Sequence, residues 1–464
     1  MKSIVIKILC LFVFIAGGFS NSSAQATGFK FPEYKKLKLS NGITLYLLEN
    51  KKVPLITVSA LIKAGAINDG TMNGLSYLTN EALSFGTKSF SKSDIENSFE
   101  SIGSSLDLRG DLEFSTLRFT VLNSKIESVL PIFKEILTVS TFPKEEVEKR
   151  KQRLLVELKQ QKQRPNAVIG FYFNKFIYGD GEYGNPIMGT AETIEKIDEA
   201  QVKDFYSNYY VPSNLVIAVS GDFKTEDMVK KFSDLFSDWS NQSSKARLVV
   251  NAPELTKSRV LLVNKEDANE TIFNIGGIGI PMNNPDYTAI QVVNTVLGGR
   301  FTSWLNDELR VNSGLTYGAR SSFRSYSNAG LFSISSFTQT KTTFEAIDLA
   351  LKVLDRLHSE GIDEKTLNSA KNYIKGQFPP RFETNSYLAS FLSEMEVYGY
   401  DESYVNQFEN TVDKLTVEKV KEIISKYFPK DKLQFVLIGR ASELREEVKK
   451  YGEVTEKEIK ADGY

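Results

Sequence analysis

Short apolar runs and long charged ones alternate along this chain. Residues 43–48 (ITLYLL) and 55–62 (LITVSALI) are apolar over a strand's length and bounded by turn formers, so they predict strands. Asn41-Gly42, between Leu39 and Ile43, predicts a hairpin turn, because both residues tolerate the left-handed backbone of a tight turn. Residues 144–163 and 344–359 carry apolar positions at helical spacing among Lys and Glu and predict amphipathic helices. Strands joined by hairpins, with helices grouped between them, predict an α+β architecture with mainly antiparallel sheets.

The pattern repeats. Tyr209-Tyr210-Val211-Pro212 leads into the apolar run 215–219, and Lys426-Tyr427-Phe428-Pro429 leads into 433–438; Tyr210 and Tyr427 are 217 positions apart. Upstream, Phe142-Pro143-Lys144-Glu145-Glu146-Val147 and Gly361-Ile362-Asp363-Glu364-Lys365-Thr366-Leu367 each open a charged helix, with Val147 and Leu367 220 apart. Two joints at nearly the same offset predict a tandem duplication. The polar stretch 241–253 separates residues 27–240 from 254–464 and reads as the linker.

A length of 464 residues suits two domains, and 41% hydrophobic with 25% charged residues is the balance of a globular chain. A formal net charge of -1 points to neither nucleic acid nor an anionic membrane as partner. Residues 1–26 have a positive start, an apolar run and small residues near Ala24 and Ala26, which predicts a signal peptide cleaved after one of those alanines. The sole cysteine, Cys10, lies inside that apolar run, so the exported remainder would depend on its core rather than on disulfides. No later run is apolar enough to span a bilayer, so no stable membrane insertion is expected after cleavage.

Catalytic inventory is thin. His358 is the only histidine and sits at the charged end of a helical run, where a solvated imidazole is the expectation. A catalytic zinc needs about three protein ligands, so a histidine-based zinc site is excluded. Serine or cysteine nucleophiles lack an adjacent base, and no phosphate-binding glycine loop occurs. Gly276-Gly277-Ile278-Gly279 reads as sheet packing.

Two segments carry a resemblance. Residues 74–87 (GLSYLTNEALSFGT) are similar to the zinc helix of the M16 (insulinase/pitrilysin/processing-peptidase) family, roughly G-L-x-H-x-x-E-H-x-x-x-x-G-T. Tyr77 and Glu81 stand at the histidine positions and Asn80 at that of the general-base glutamate. Glu157, 76 positions beyond Glu81, matches the family's third ligand, though a lone helical glutamate is also commonly solvated. Two carboxylates are too few to predict a cation site. Asn185-Pro186-Ile187-Met188-Gly189-Thr190 resembles the family's N-P-x-x-G-T segment. Asp107-Leu108 replace the Asn-Ala frequent on the substrate-pairing edge strand, a departure that weakens the case for peptide binding by the first half.

Residues 297–319 resemble the motif of the family's C-terminal half: a glycine-rich loop (Gly298, Gly299), a helix ending in Leu-Arg, then Gly-Leu-x-Tyr. The resemblance implies that Arg310 and Tyr317 bind substrate backbone and the oxyanion, a task suited to a permanent guanidinium donor and a neutral phenol. It also implies two M16-type domains facing each other as a clam-like chamber. No metal or cofactor is expected in this chain. Zinc is expected in a separate zinc-bearing M16 subunit, which would pair with this one around an extended peptide in the periplasm, the cell envelope or outside the cell. A catalytically inert scaffold and a stand-alone envelope peptide-binding protein are the alternatives.

Overall fold

In a computed structural model, residues 28–240, 245 and 248–464 are described. The expected signal peptide and part of the linker lie outside them. Among these residues, twelve strands form two six-stranded sheets. The first contains β1 (Lys35–Lys38), β2 (Thr44–Glu49), β3 (Leu55–Ile62), β4 (Asp107–Gly110), β5 (Ser115–Leu122) and β6 (Leu215–Gly221) in the order β1-β2-β6-β3-β5-β4. The second contains β7 (Arg259–Asn264), β8 (Glu270–Ile278), β9 (Ala319–Ser325), β10 (Gly330–Gln339), β11 (Gln434–Gly439) and β12 (Glu453–Glu458) in the order β12-β7-β11-β8-β10-β9.

Five strands correspond one to one, which is the duplication expected from the repeated joints. The sheets differ at one edge. β1 pairs antiparallel with β2, whereas β12 pairs parallel with β7. Pairing is antiparallel except at β2–β6, β7–β11 and β7–β12. The β2–β6 and β7–β11 pairs are parallel because β6 and β11 return after long helical crossovers, which deliver a strand in the original direction. Gly276 of β8 sits where a Cβ would lie 2.0 Å from the Phe332 carbonyl oxygen of β10, so close sheet packing accounts for it.

Each half lends a helix to the other. Pro165–Tyr178 packs on β8 and β11 of the second sheet, and Asn385–Tyr398 packs on β2, β3 and β6 of the first. Tyr178 donates to the Gly330 carbonyl at 2.8 Å, and Asn385 donates to the Leu55 carbonyl. The Pro165–Tyr178 helix buries Val168, Ile169, Tyr172, Phe173, Ile177 and Tyr178, as expected for a helix between layers rather than at a surface. No helix among the described residues is long and apolar enough to cross a membrane.

Candidate functional site

The Leu75–Ala82 helix begins at Gly74, whose φ of 94° is left-handed. Gly74 and Gly189 are pressed together: a Cβ on Gly74 would lie 2.9 Å from the Gly189 Cα, and one on Gly189 would lie 2.4 Å from the Asn73 carbonyl oxygen. The 74–87 and 185–190 segments therefore form one joint. The Asp69 carboxylate supports it, accepting from the Gly74 amide at 2.7 Å and the Ser76 amide at 2.8 Å, two orphan donors of the helix start. Burial pushes the Asp69 pKa up to about 7 against the pull of those hydrogen bonds.

The helix presents Tyr77 and Glu81 toward the Lys144–Gln161 helix. Tyr77 donates to Glu81 at 2.8 Å. The Arg150 guanidinium then fills the space between the carboxylates. Its Nε donates to Glu81, while Nη1 and Nη2 donate to the two Glu157 oxygens at 2.8 and 3.0 Å. Burial opposes the Arg150 charge, but the bonds to Glu81 and Glu157 outweigh it and hold its pKa above the usual value. Burial, followed by the Glu81 charge and hydrogen bond, raises the Tyr77 pKa. Asn80 is fully buried and accepts from Tyr210 at 3.4 Å, so a neutral amide occupies the general-base position.

The three matched positions Tyr77, Glu81 and Glu157 thus converge, and Arg150 joins them. Glu157 is engaged rather than simply solvated. The donor set does not fit zinc: it offers no imidazole, and both carboxylates are committed to a permanent cation. Among the described residues, no group of three His, Cys, Asp or Glu side chains could hold a metal ion. The cluster opens into a polar cavity of about 480 Å³ that also reaches Lys92, Asp107 and Arg153. Asp107 and Leu108 lie on β4, at a sheet edge.

The second motif is built around the Tyr287–Asn294 helix and the turn Thr295–Gly299. A Cβ on Gly298 would lie 2.2 Å from the Ser321 amide nitrogen, so only glycine lets this turn sit against β9. Asn294 donates to the Ser321 carbonyl at 3.1 Å, and Asn306 accepts from the Ala319 amide at 3.4 Å. These amides cap the start of the β9 edge. Arg310 lies in the Asp307–Asn312 turn with its guanidinium 4.5 Å from the Phe301 ring centroid. Among the described residues no carboxylate pairs with it. Tyr317 is 83% exposed, with its ring 6.5 Å from that of Phe337. No hydrogen bond, ion pair or ring contact joins Arg310 or Tyr317 to the Arg150 cluster among the described residues.

His358 departs from the solvated expectation. Its Nε2 is buried without a hydrogen-bond partner among the described residues, and burial and the Lys430 charge lower its pKa. It lies beside Leu354 and Phe435.

Residues 45–191 match the family profile "Insulinase (Peptidase family M16)", and residues 196–374 match "Peptidase M16 inactive domain". The chain belongs to the M16 family. It is 23% identical to an uncharacterized zinc protease of Bacillus subtilis (strain 168), YmxG, over 86% of this chain and 96% of that protein. It is similar to a Pseudomonas fluorescens protein solved as a peptidase M16 inactive domain, with TM-score 0.83, 26% identity and coverage of 88% and 98%. A Helicobacter pylori protease shares the fold, with TM-score 0.81, 19% identity and coverage of 88% and 99%. This M16 chain is of the inactive type.

Proposed function

We propose that this chain is an exported, zinc-free M16 subunit that pairs with a zinc-bearing M16 subunit to hydrolyse extended peptides. It contributes Arg310 and Tyr317 to the shared site and is not a peptidase alone. The observation that carries this reading is the contrast between its two motifs. In the first, Arg150 occupies the seat between Glu81 and Glu157. In the second, Arg310 has no carboxylate partner among the described residues, and Tyr317 stands 83% exposed. An uncommitted guanidinium and an exposed phenol are donors available to a substrate carbonyl and its developing oxyanion. The zinc-protease names of the relatives support a peptidase context, and residues 1–26 support export. An extended peptide would pair by main-chain hydrogen bonds with an edge strand.

Reconstitution tests this. The isolated chain should not hydrolyse peptides, and adding the zinc-bearing subunit should restore hydrolysis. Arg310→Ala or Tyr317→Phe should then lower turnover roughly 10²–10³-fold with assembly intact, the usual loss for an oxyanion donor. Intact assembly with unchanged turnover in both variants would leave a scaffold subunit. Peptide capture without assembly would leave a stand-alone binding protein.

A further inference from the structure

We infer that residues 459–464 form a strap that crosses from the second half and sets the seat of the Leu75–Ala82 helix in the first. The strap leaves β12 at Ile459, whose amide donates to the Asn264 carbonyl at 3.0 Å. Asp462 then reaches across the seam and accepts from the amides of Ala191 and Glu192, each at 2.8 Å. Lys162, just beyond the Lys144–Gln161 helix, donates to the Ala461 carbonyl and to the Gly463 carbonyl, the latter at 2.9 Å. The Tyr464 ring rests 5.2 Å from both Phe171 and Tyr172, on the helix lent to the second sheet.

What the strap grips is joined to the first motif. The short Ala191–Lys196 helix sends the Thr193 hydroxyl to the Asn73 carbonyl at 2.7 Å. Its Ile194 Cδ1 lies 2.6 Å from where a Cβ on Gly74 would stand. Asn73 and Gly74 are the entrance to the Leu75–Ala82 helix. Strap, Ala191–Lys196 helix and motif helix therefore form a continuous line of contacts across the two halves. A cavity of about 890 Å³, lined by Leu155, Leu158, Glu195 and Asp462 among others, lies along the strap. With that space beside it, the strap beyond the buried Ile459 depends on the Asp462 bonds, the Lys162 bonds, the Lys457 bond to the Tyr464 carbonyl and the Tyr464 ring. Few buried apolar contacts and exposed backbone bonds are the marks of a unit that opens locally without global unfolding.

Hydrogen–deuterium exchange on the full chain tests this without partner or substrate. Asp462 is exposed, so Asp462→Ala leaves the fold intact and removes only the grip. It should raise exchange across residues 191–196 at least about tenfold, the response to losing two charge-assisted bonds. Tyr464→Ala should extend the rise to residues 75–82, with β8 and β10 still protected. Unchanged exchange at 191–196 in Asp462→Ala overturns the strap. So does an unchanged 75–82 segment in both variants, or an equal rise over the whole chain. Should Tyr464→Ala unfold globally, Lys162→Ala combined with Asp462→Ala takes its place: it should extend the rise to residues 75–82, and an unchanged 75–82 segment overturns the strap.

Discussion

Arg150 holds Glu157 through two parallel hydrogen bonds of 2.8 and 3.0 Å from seven residues earlier on the same helix, while its Nε reaches Glu81 on another. Removing this side chain strands two carboxylates against each other. Breaking a buried ion pair costs about 3–5 kcal/mol, less where a partner is solvated, and the Glu157 side chain is 43% exposed. Arg150→Ala should therefore lower stability by about 2–3 kcal/mol in chemical denaturation. Glu81→Gln added to it should recover part of that loss, because the like-charge repulsion is gone.

The same geometry predicts how metal binding could be reinstalled. Tyr77→His with Glu81→His supplies two imidazoles at helical i, i+4 spacing, alongside Glu157. With Arg150 in place, the third ligand stays engaged and a permanent cation repels the metal. The double variant should carry little zinc by elemental analysis, and adding Arg150→Ala should raise it toward one per chain. Stoichiometric zinc in the double variant would show that Arg150 yields its seat.

The frame of this site was legible in sequence, but its occupant was not. Gly74, Gly189, Gly298 and Gly314 stand where backbone geometry demands glycine, and such demands leave a mark in any single sequence. Arg150 left a fainter one. It falls in phase with the buried Val147, Leu154 and Leu158, so it breaks an apolar stripe, but among many Lys and Glu residues it reads as one more surface charge. Only the approach of the Leu75–Ala82 helix gives it a role. The helix exchange was hidden for a similar reason: the apolar surface of Pro165–Tyr178 says that it is covered, not by which sheet.

Asp69 predicts a pH dependence. Its folded pKa, raised to about 7 from an ordinary 3.8, means that the native state holds a proton the unfolded state has released. Stability should fall as pH rises between those values, by up to about 4 kcal/mol in total. Asp69→Asn should flatten that slope while costing a roughly constant 1 kcal/mol or so, since an amide has one acceptor for two amides. Denaturation curves of both proteins at pH 5 and pH 8 check this. An equal pH slope in both would mean that the helix-end amides keep Asp69 ionised.

Arg310 and Tyr317 should be separable from folding. Tyr317 is exposed and Arg310 half-buried against the Phe301 ring, and neither side chain has a hydrogen bond or ion pair among the described residues, so each substitution should cost only about 0.5 kcal/mol. Arg310→Ala and Tyr317→Phe should leave the thermal midpoint of the isolated chain within about 2 °C. A larger drop would mean that the Phe301 contact is structural.

Gly298 should behave in the opposite way. Its missing Cβ lies 2.2 Å from the Ser321 amide nitrogen and 2.6 Å from the Ser321 hydroxyl, and the backbone atom cannot turn aside. Gly298→Ala must push the Thr295–Gly299 turn off β9, stretching the Asn294 bonds to Ser321. Overpacking of this kind costs about 1–3 kcal/mol. Because the turn leads directly to the segment carrying Arg310, the displacement should reach it. Loss of stability should come with faster exchange across residues 304–312, whereas Gly314→Ala, which meets open space at a φ of 64°, should show mainly the backbone cost of about 1 kcal/mol. Equal behaviour of the two alanine variants would show that close packing against β9 is not what fixes Gly298.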